Sequence, residues 1–158
     1  MNTMNGCKKI TLIRHAQSRF NAGQTDALTN CGITDQGAQD ASNLNFSFDC
    51  LIISPLKRSI QTYTCSKIKT GKIMINELFR EHVSWNLNFL DNETPAIETV
   101  DDLVKRAYAA FEFLNTIEYY NIGVITHSDF LQTFTERILG TKISLNNCQA
   151  LEFYINAI

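Results

Sequence analysis

The sequence predicts an α/β sandwich built on a largely parallel central sheet flanked by helices. Two observations carry the prediction. Short apolar runs that suit buried strands, Ile10–Ile13, Cys50–Ile53 and Ile122–Ile125, alternate with stretches of helical periodicity, the pattern of strands joined by crossover helices. Glycine and proline number only 7 and 2, too few for a hinge between separate units, so residues 1–158 are expected to form one domain.

Ile10–Ile13 is expected as the first strand. Gln36–Leu44 follows as a helix, with Thr34 or Asp35 as its cap. Cys50–Ile53 is a second strand. Ser54-Pro55 after it reads as a helix start, because serine caps an N-terminus and proline is tolerated at the first helical position; that helix runs on towards Ile68. Lys72–Ile75 is a third strand. Thr99 opens a long helix in which Val100, Leu103, Val104, Ala107, Phe111 and Leu114 recur at helical spacing on one apolar face. Ile122–Ile125 is a fourth strand, with the helix Ser128–Leu139 behind it. Ala150–Ile155 alternates Leu151, Phe153 and Ile155 on one face, as a terminal half-buried strand does. Arg80–Glu98 has no clear element. It is long for a connection inside a compact domain, which makes it a candidate substrate loop.

Composition bounds the function. The 158 residues are 44% hydrophobic and 19% charged, which fits a globular chain able to bury a sizeable core. A formal net charge of −2 and a pI of about 5.9 leave no basic excess for a nucleic-acid backbone. Any anion site must therefore be local, built from a few converged arginines and histidines. Cys7, Cys31, Cys50, Cys65 and Cys148 are odd in number and form no C-x-x-C pair, which points to reduced thiols and a cytoplasmic location. Met1–Lys9 lacks the apolar core of a secretory leader, and no run approaches the ~20 apolar residues that span a bilayer. Neither nucleic acid nor membrane is expected as a partner.

Three strand ends carry unusual polar residues: Arg14-His15, Ser54-Pro55-Leu56-Lys57-Arg58 and Thr126-His127-Ser128. In an open parallel sheet these junctions lie on one edge, where ligands bind. Two histidines and two arginines distant in sequence then converge, and helix N-termini at Ser54 and Ser128 add oriented N–H groups suited to phosphate. A lone histidine is more often a satisfied core or surface residue; two at equivalent strand ends, beside arginine or serine, argue for a site. The third, His82, lies next to Glu81. Lys8 and Lys57 read as solvated, and Asp35, Asp101 and Asp102 as charges at helix N-termini. No H-E-x-x-H, H-x-H or C-x-x-C spacing suggests a metal, and neither a P-loop nor a G-x-S-x-G nucleophile motif is present.

The segment Leu12-Ile13-Arg14-His15-Ala16-Gln17-Ser18, with Asn21 after it, resembles the R-H-G signature of the histidine phosphatase superfamily, the phosphoglycerate-mutase-like enzymes. Ile33–Ala41 resembles the L-T-x-x-G-x-x-Q-A segment of that family, and Leu28–Gly32 also fits its start. Ser54–Thr62 resembles S-P-L-x-R-A-x-Q-T. Leu78–His82 looks like the acid-bearing segment, Val124–Ser128 resembles the second histidine motif, and Asn147-Cys148-Gln149 precedes the last strand as in relatives. Ala16 stands in place of the motif glycine and Ser128 in place of the commoner glycine after the second histidine.

The resemblance implies a phosphoglycerate-mutase-like fold and a phosphatase that works without metal or cofactor. It makes His15 the nucleophile that becomes phosphorylated. Arg14, Arg58 and His127 hold the transferring phosphoryl group, and Asn21 and the Ser128 backbone add hydrogen bonds. Glu81 is the proton donor, with Glu77 left open as the alternative carboxylate. Chemistry agrees: neutral imidazole is a nucleophile, two guanidinium forks match phosphate oxygens, and a poor alkoxide leaving group needs an acid. A protonated His127 would add charge at the transition state. The substrate would be a small phosphomonoester or a phosphoprotein. The rivals are a phosphoglycerate mutase, disfavoured because Trp85–Thr99 contains no Lys or Arg, and a non-catalytic binder of phosphorylated ligands. Arg19, Arg80 and His82 are the remaining cations a mutase could use. Oligomeric state is not legible.

Overall fold

The computed structural model describes residues 6–24 and 29–156; the residues before Gly6 and Leu28, both read above, lie outside them. The elements run β1 (Cys7–Arg14), α1 (Asp35–Ala41), β2 (Ser47–Phe48), β3 (Cys50–Ile53), α2 (Lys57–Cys65), β4 (Lys69–Thr70), β5 (Ile73–Ile75), α3 (Val100–Thr116), β6 (Asn121–Thr126), α4 (Ser128–Phe134) and β7 (Ala150–Asn156). Five strands form one sheet in the order β5-β3-β6-β1-β7. All pairings are parallel except β7, which runs antiparallel to β1. β2 and β4 make a separate parallel pair.

The apolar strands are apolar throughout because both faces of the sheet are covered. Ile10, Leu12, Cys50, Ile52, Ile122 and Val124 join a core with Leu103, Ala107 and Leu114 of α3 and Phe130 and Phe134 of α4. The intervening residues Ile13, Leu51, Ile53 and Ile125 join the opposite core with Leu44, Phe48 and Ile68. This is the period-two alternation of a strand buried on both sides. Gly123 is required in β6, since a Cβ there would lie 2.4 Å from the Phe48 ring.

Local chemistry sets the helix ends. Thr34 Oγ1 accepts a 2.9 Å bond from Gly37 N at the start of α1. Thr99 and Asp102 form a capping box on α3, each accepting the other's backbone N–H at 3.1 Å. Lys8, expected in solvent, closes the other end of α3. It is 2% exposed, and its ammonium donates to the carbonyls of Leu114 and Asn115, both at 2.9 Å, and of Ile117. Carbonyls at a helix C-terminus lack intrahelical partners, and one buried cation satisfies all three.

Several boundaries differ from expectation. α1 ends at Ala41, not Leu44, and β1 is longer than Ile10–Ile13 at both ends. α2 starts at Lys57 rather than at Ser54-Pro55, and stops at Cys65 before Ile68. Ser54 lies ahead of the helix, whose cap position is Leu56; its hydroxyl accepts from Leu56 N at 3.4 Å and lies 2.7 Å from His127 Nε2. The helix after β6 changes to a π-helical turn over Thr135–Leu139 and closes at Gly140, φ 81°. Arg80–Glu98 is largely irregular but contains a 3₁₀ turn at Asn86–Asn88. Ion pairs hold it at both ends: Arg80 to Glu93 at 2.7 Å and Arg106 to Glu98 at 2.7 Å. No described helix is long and apolar enough to cross a membrane.

Candidate active site

β1, β3 and β6 are neighbours running in one direction, so the residues after their C-terminal ends meet at one edge. A cleft of about 280 Å³ opens there, lined by Arg14, His15, Asn21, Arg58, Glu81, Ser128 and Asp129, with Ser18, Phe20, Trp85, Leu87 and Asn88. His127 lies just behind this lining. It is fully buried, and its ring is 5.1 Å from that of His15, centroid to centroid. Glu77 is exposed and borders a different cavity, so of the two carboxylates only Glu81 reaches the cleft.

The loop after β1 is fixed from three sides. A Cβ on Gly37 would sit 2.4 Å from the Gln17 carbonyl, so α1 can pack this closely only with glycine there. Ala16 N donates to Thr62 Oγ1 of α2 at 2.8 Å. Asn147 Nδ2 donates to the His15 carbonyl at 3.0 Å, and Cys148 N to the Arg14 carbonyl at 3.0 Å.

His15 is held as a single neutral tautomer. Its Nδ1 lies 2.7 Å from the Ala16 carbonyl, which can only accept, so Nδ1 carries the hydrogen and Nε2 the lone pair. Burial and then the Arg58 charge push its pKa down to about 3; the bond to Ala16 opposes this only in part. His127 is also pushed well below its ordinary value, by burial first, then by Arg58 and His15. Two histidines and two arginines packed together disfavour a further charge, so the site works against the protonated His127 expected from the sequence. His127 Nε2 lies 2.7 Å from Ser54 Oγ and 3.2 Å from Ser59 Oγ, and its Nδ1 has no hydrogen-bond partner among the described residues.

The arginines leave donors open. Arg14 Nη1 donates to the Leu145 carbonyl at 2.8 Å and Arg58 Nη2 to Asn88 Oδ1 at 2.7 Å. Arg14 Nε and Arg58 Nη1 are buried without partners among the described residues. Burial lowers both guanidinium pKa values while Glu81 acts to raise them. Buried unpaired polar atoms are costly, yet Arg14 Nε, Arg58 Nη1 and His127 Nδ1 gather at this one edge.

Glu81 sits across the site at the start of α4, 7% exposed. Oε1 accepts from Phe130 N at 2.8 Å and His82 N at 3.0 Å, and Oε2 from Asp129 N at 3.1 Å. Burial, then the nearby Asp129 charge, raise its pKa, and these three bonds act against them. The net result is a carboxyl that holds its proton to higher pH than usual. Ser128 is the first residue of α4 rather than its cap, and the next two N–H groups of that turn go to Glu81. Asn21 lines the cleft, its Oδ1 accepting from Ser18 N at 3.1 Å and Ser18 Oγ at 2.9 Å.

Sequence reasoning missed four supporting groups: Asn88 on Arg58, Ser54 and Ser59 on His127, and Asn147 on the His15 loop. It also missed Arg106 of α3. Its Nη1 donates to the Leu78 carbonyl at 2.9 Å and the Arg80 carbonyl at 2.6 Å, and its Nη2 to the Glu81 carbonyl at 3.2 Å. Nε and Nη2 form a fork on Glu98 at 2.7 and 2.9 Å. Among the described residues no group of three or more His, Cys, Asp or Glu side chains could hold a metal ion.

A mostly parallel α/β sheet places paired histidines and arginines at its C-terminal edge, where ligands bind in open sheets of this kind. Residues 10–82 match the model of the histidine phosphatase superfamily (branch 1). The matched stretch contains Arg14, His15, Arg58 and Glu81, so over these residues the chain is similar to that superfamily, in line with the motifs. It is 26% identical over 168 residues to "Putative phosphoserine phosphatase 2" of Hydrogenobacter thermophilus, covering 89% of this chain and 82% of that one. In fold it is similar to the crystal structure of a "putative alpha-ribazole-5'-P phosphatase" from Escherichia coli, at TM-score 0.73 and 17% identity over 94% of this chain and 91% of that one. It is also similar to a mutant phosphoserine phosphatase from Entamoeba histolytica in complex with phosphoserine, at TM-score 0.67 and 18% identity over 92% of this chain and 90% of that one.

Proposed function

We propose that the chain hydrolyses phosphomonoesters through a phosphohistidine on His15, with Glu81 as proton donor and no metal. The observation that carries this is the pairing of a neutral, tautomer-fixed His15 with a buried carboxyl of raised pKa across the same cleft. The lone pair of His15 Nε2 attacks phosphorus, the P–O bond to the alcohol breaks, and Glu81 gives its proton to the departing oxygen. The Glu81 carboxylate then takes a proton from water, which attacks phosphorus and releases inorganic phosphate and neutral His15. Arg14 Nε, Arg58 Nη1 and His127 Nδ1, unpartnered among the described residues, hold the phosphoryl oxygens, a role that needs neutral His127 only as an N–H donor. Asn21 and the Ser128 backbone complete the phosphate site.

Hydrolysis is favoured over phosphoryl shuttling. A mutase must grip a second anion while phosphohistidine waits. The cations lining the cleft are Arg14 and Arg58, and Arg80 is bound to Glu93 instead. A neutral histidine with a free Nε2 is also more than a non-catalytic phosphate binder requires. The substrate is a small phosphomonoester or a phosphorylated protein side chain; relatives named for phosphoserine make phosphoserine the first comparator. Five free thiols suit a reducing, cytoplasmic setting, and residues 1–158 act as one domain.

The test is chemical. Protein quenched after brief exposure to p-nitrophenyl phosphate should carry acid-labile, base-stable phosphate, and His15→Asn should remove it. Label that survives in His15→Asn would overturn the assignment.

A further inference from the structure

We infer that this site selects phosphomonoesters whose alcohol carries an aromatic ring and no second anionic group; the inference rests on the phosphatase reading above. Beyond the phosphoryl-binding floor, the cleft wall is made by Phe20, Trp85 and Leu87. Phe20 and Trp85 come from separate segments, yet their rings meet edge to face, with centroids 5.2 Å apart and planes at 67°. Both remain about half exposed, at 45% and 44%. Two large rings left this open beside a catalytic cleft offer edges and faces to a third ring, in the offset or T-shaped geometry that aromatic groups favour.

The wall is keyed to the phosphate site. Trp85 begins the 3₁₀ turn Asn86–Asn88. Asn88 at the end of that turn accepts from Arg58 at 2.7 Å and donates to the His82 carbonyl at 2.9 Å. A phosphoryl group on Arg58 and a ring on Trp85 are thus placed by one short, doubly anchored segment. Such pre-positioning lets binding to the remote ring support orientation at the reacting centre.

Charge narrows the class further. Apart from the two arginines and Glu81, whose carboxyl serves as the protonated acid, the acidic group lining the cleft is Asp129. An alcohol bearing a carboxylate would meet Asp129 as a like charge; a neutral ring would not.

Benzyl, ethyl and carboxylate-bearing alkyl phosphates share a poor alkoxide leaving group, so comparing them isolates the wall from the chemistry. The expected result is a kcat/KM for benzyl phosphate at least about tenfold above that for ethyl phosphate, with 3-phosphoglycerate below both. Trp85→Ala should lower that benzyl-to-ethyl ratio towards one, Trp85→Phe should restore most of it, and Asp129→Asn should raise 3-phosphoglycerate relative to ethyl phosphate by about fivefold. Peptides with phosphotyrosine but no acidic residues, tested beside free phenyl phosphate, which shares the phenolate leaving group, separate a protein side chain from a small aryl ester as the source of the ring. Calorimetric titration with benzylphosphonate and ethylphosphonate reads the same preference without turnover. Turnover of ethyl and benzyl phosphates at equal kcat/KM, or a ratio unmoved by Trp85→Ala, would overturn the inference and leave the phosphatase reading standing. No turnover of any ester would overturn the phosphatase reading, and the phosphonate titration would then decide the ring preference by itself: equal affinities sink it.

Discussion

Arg106→Met should destabilise the protein by about 3 kcal/mol and slow hydrolysis of poor leaving groups. Arg106 uses all five of its N–H groups: two on Glu98, one on each of three carbonyls at 78, 80 and 81. Its cationic centre also lies 5.3 Å from the Phe130 ring. The Arg106–Glu98 pair is nearly buried, with side chains 14% and 12% exposed. Removing one partner of such a pair typically costs ~3–5 kcal/mol because the other charge is left in low dielectric. The lower end applies here, since a neighbouring cavity of about 460 Å³ lined by Leu78, Arg80, Glu98 and Arg106 can admit water to the freed groups. Urea unfolding followed by circular dichroism measures the loss. At ~2–4 °C per kcal/mol for a chain of this size, the melting temperature should fall by about 6–12 °C. Burial alone would push the Glu98 carboxyl up, but the hydrogen bonds and charge of Arg106 bring it below its ordinary value. A depressed carboxylate contributes stability above its unfolded pKa of ~4.3 and loses it as pH falls through the folded value. The penalty of Arg106→Met should therefore shrink in acid. Because Arg106 also holds the backbone of Glu81, the variant should lose more activity on ethyl phosphate than on p-nitrophenyl phosphate. A loss below ~1 kcal/mol, or equal effects on both esters, would refute the reasoning.

Glu81→Gln should lower kcat/KM for alkyl phosphates by ~10²–10⁴-fold and affect p-nitrophenyl phosphate far less; equal defects on the two esters would remove Glu81 as the acid. His15, with its pKa pushed down to about 3, should show no imidazole titration by NMR around the ordinary histidine value of ~6.5, and a midpoint there would contradict the burial argument. The linkage sign follows: the unfolded chain takes up protons below ~6.5 that folded His15 and His127 do not, so stability should fall as pH drops from there, a trend His127→Gln should lessen. Lys8→Met should cost about 2 kcal/mol, because three helix-end carbonyls lose their donor; a change under ~0.5 kcal/mol would mean Lys8 behaves as a surface residue.

The strands and long helices were legible because their signals are local. Both-face burial makes β1, β3 and β6 continuous apolar runs, and Thr99 with Asp102 marks the start of α3 within four residues of sequence. The motif residues were legible because each sits at the end of such a run, so the topology that aligns the strands also gathers Arg14, His15, Arg58 and Ser128 at one edge. Lys8 was misread because its partners lie more than a hundred residues away, and nothing beside it in sequence announces a helix end. Ser54 was misread for a related reason: a serine before proline looks like a cap, but the helix starts three residues later and the hydroxyl also meets a buried imidazole 73 residues away.

Arginines show most sharply where reading stops. As letters Arg14, Arg58, Arg80 and Arg106 are alike, and only the first two stand in a recognisable motif. Donor use in the folded chain separates them. Arg106 is saturated by Glu98 and three carbonyls. Arg80 leaves its Nε unpartnered, but both of its terminal nitrogens are taken by the Glu93 carboxylate, with the Asn88 carbonyl as a further acceptor. Arg14 and Arg58 meet no carboxylate at hydrogen-bond distance. Each donates to one neutral oxygen, the Leu145 carbonyl or the Asn88 amide, and keeps a buried nitrogen with no acceptor among the described residues; both residues line the cleft. A guanidinium whose fork is filled by a carboxylate of the protein fixes structure; one whose fork is left half open beside a cleft has donors to offer an anionic ligand, the role proposed for Arg14 and Arg58. That distinction depends on where α3 and the 80–98 segment pack against the sheet edge. It also ties the two roles together, since Arg106 and Arg80 hold the segment that carries Glu81, Trp85 and Asn88, and Asn88 in turn orients Arg58.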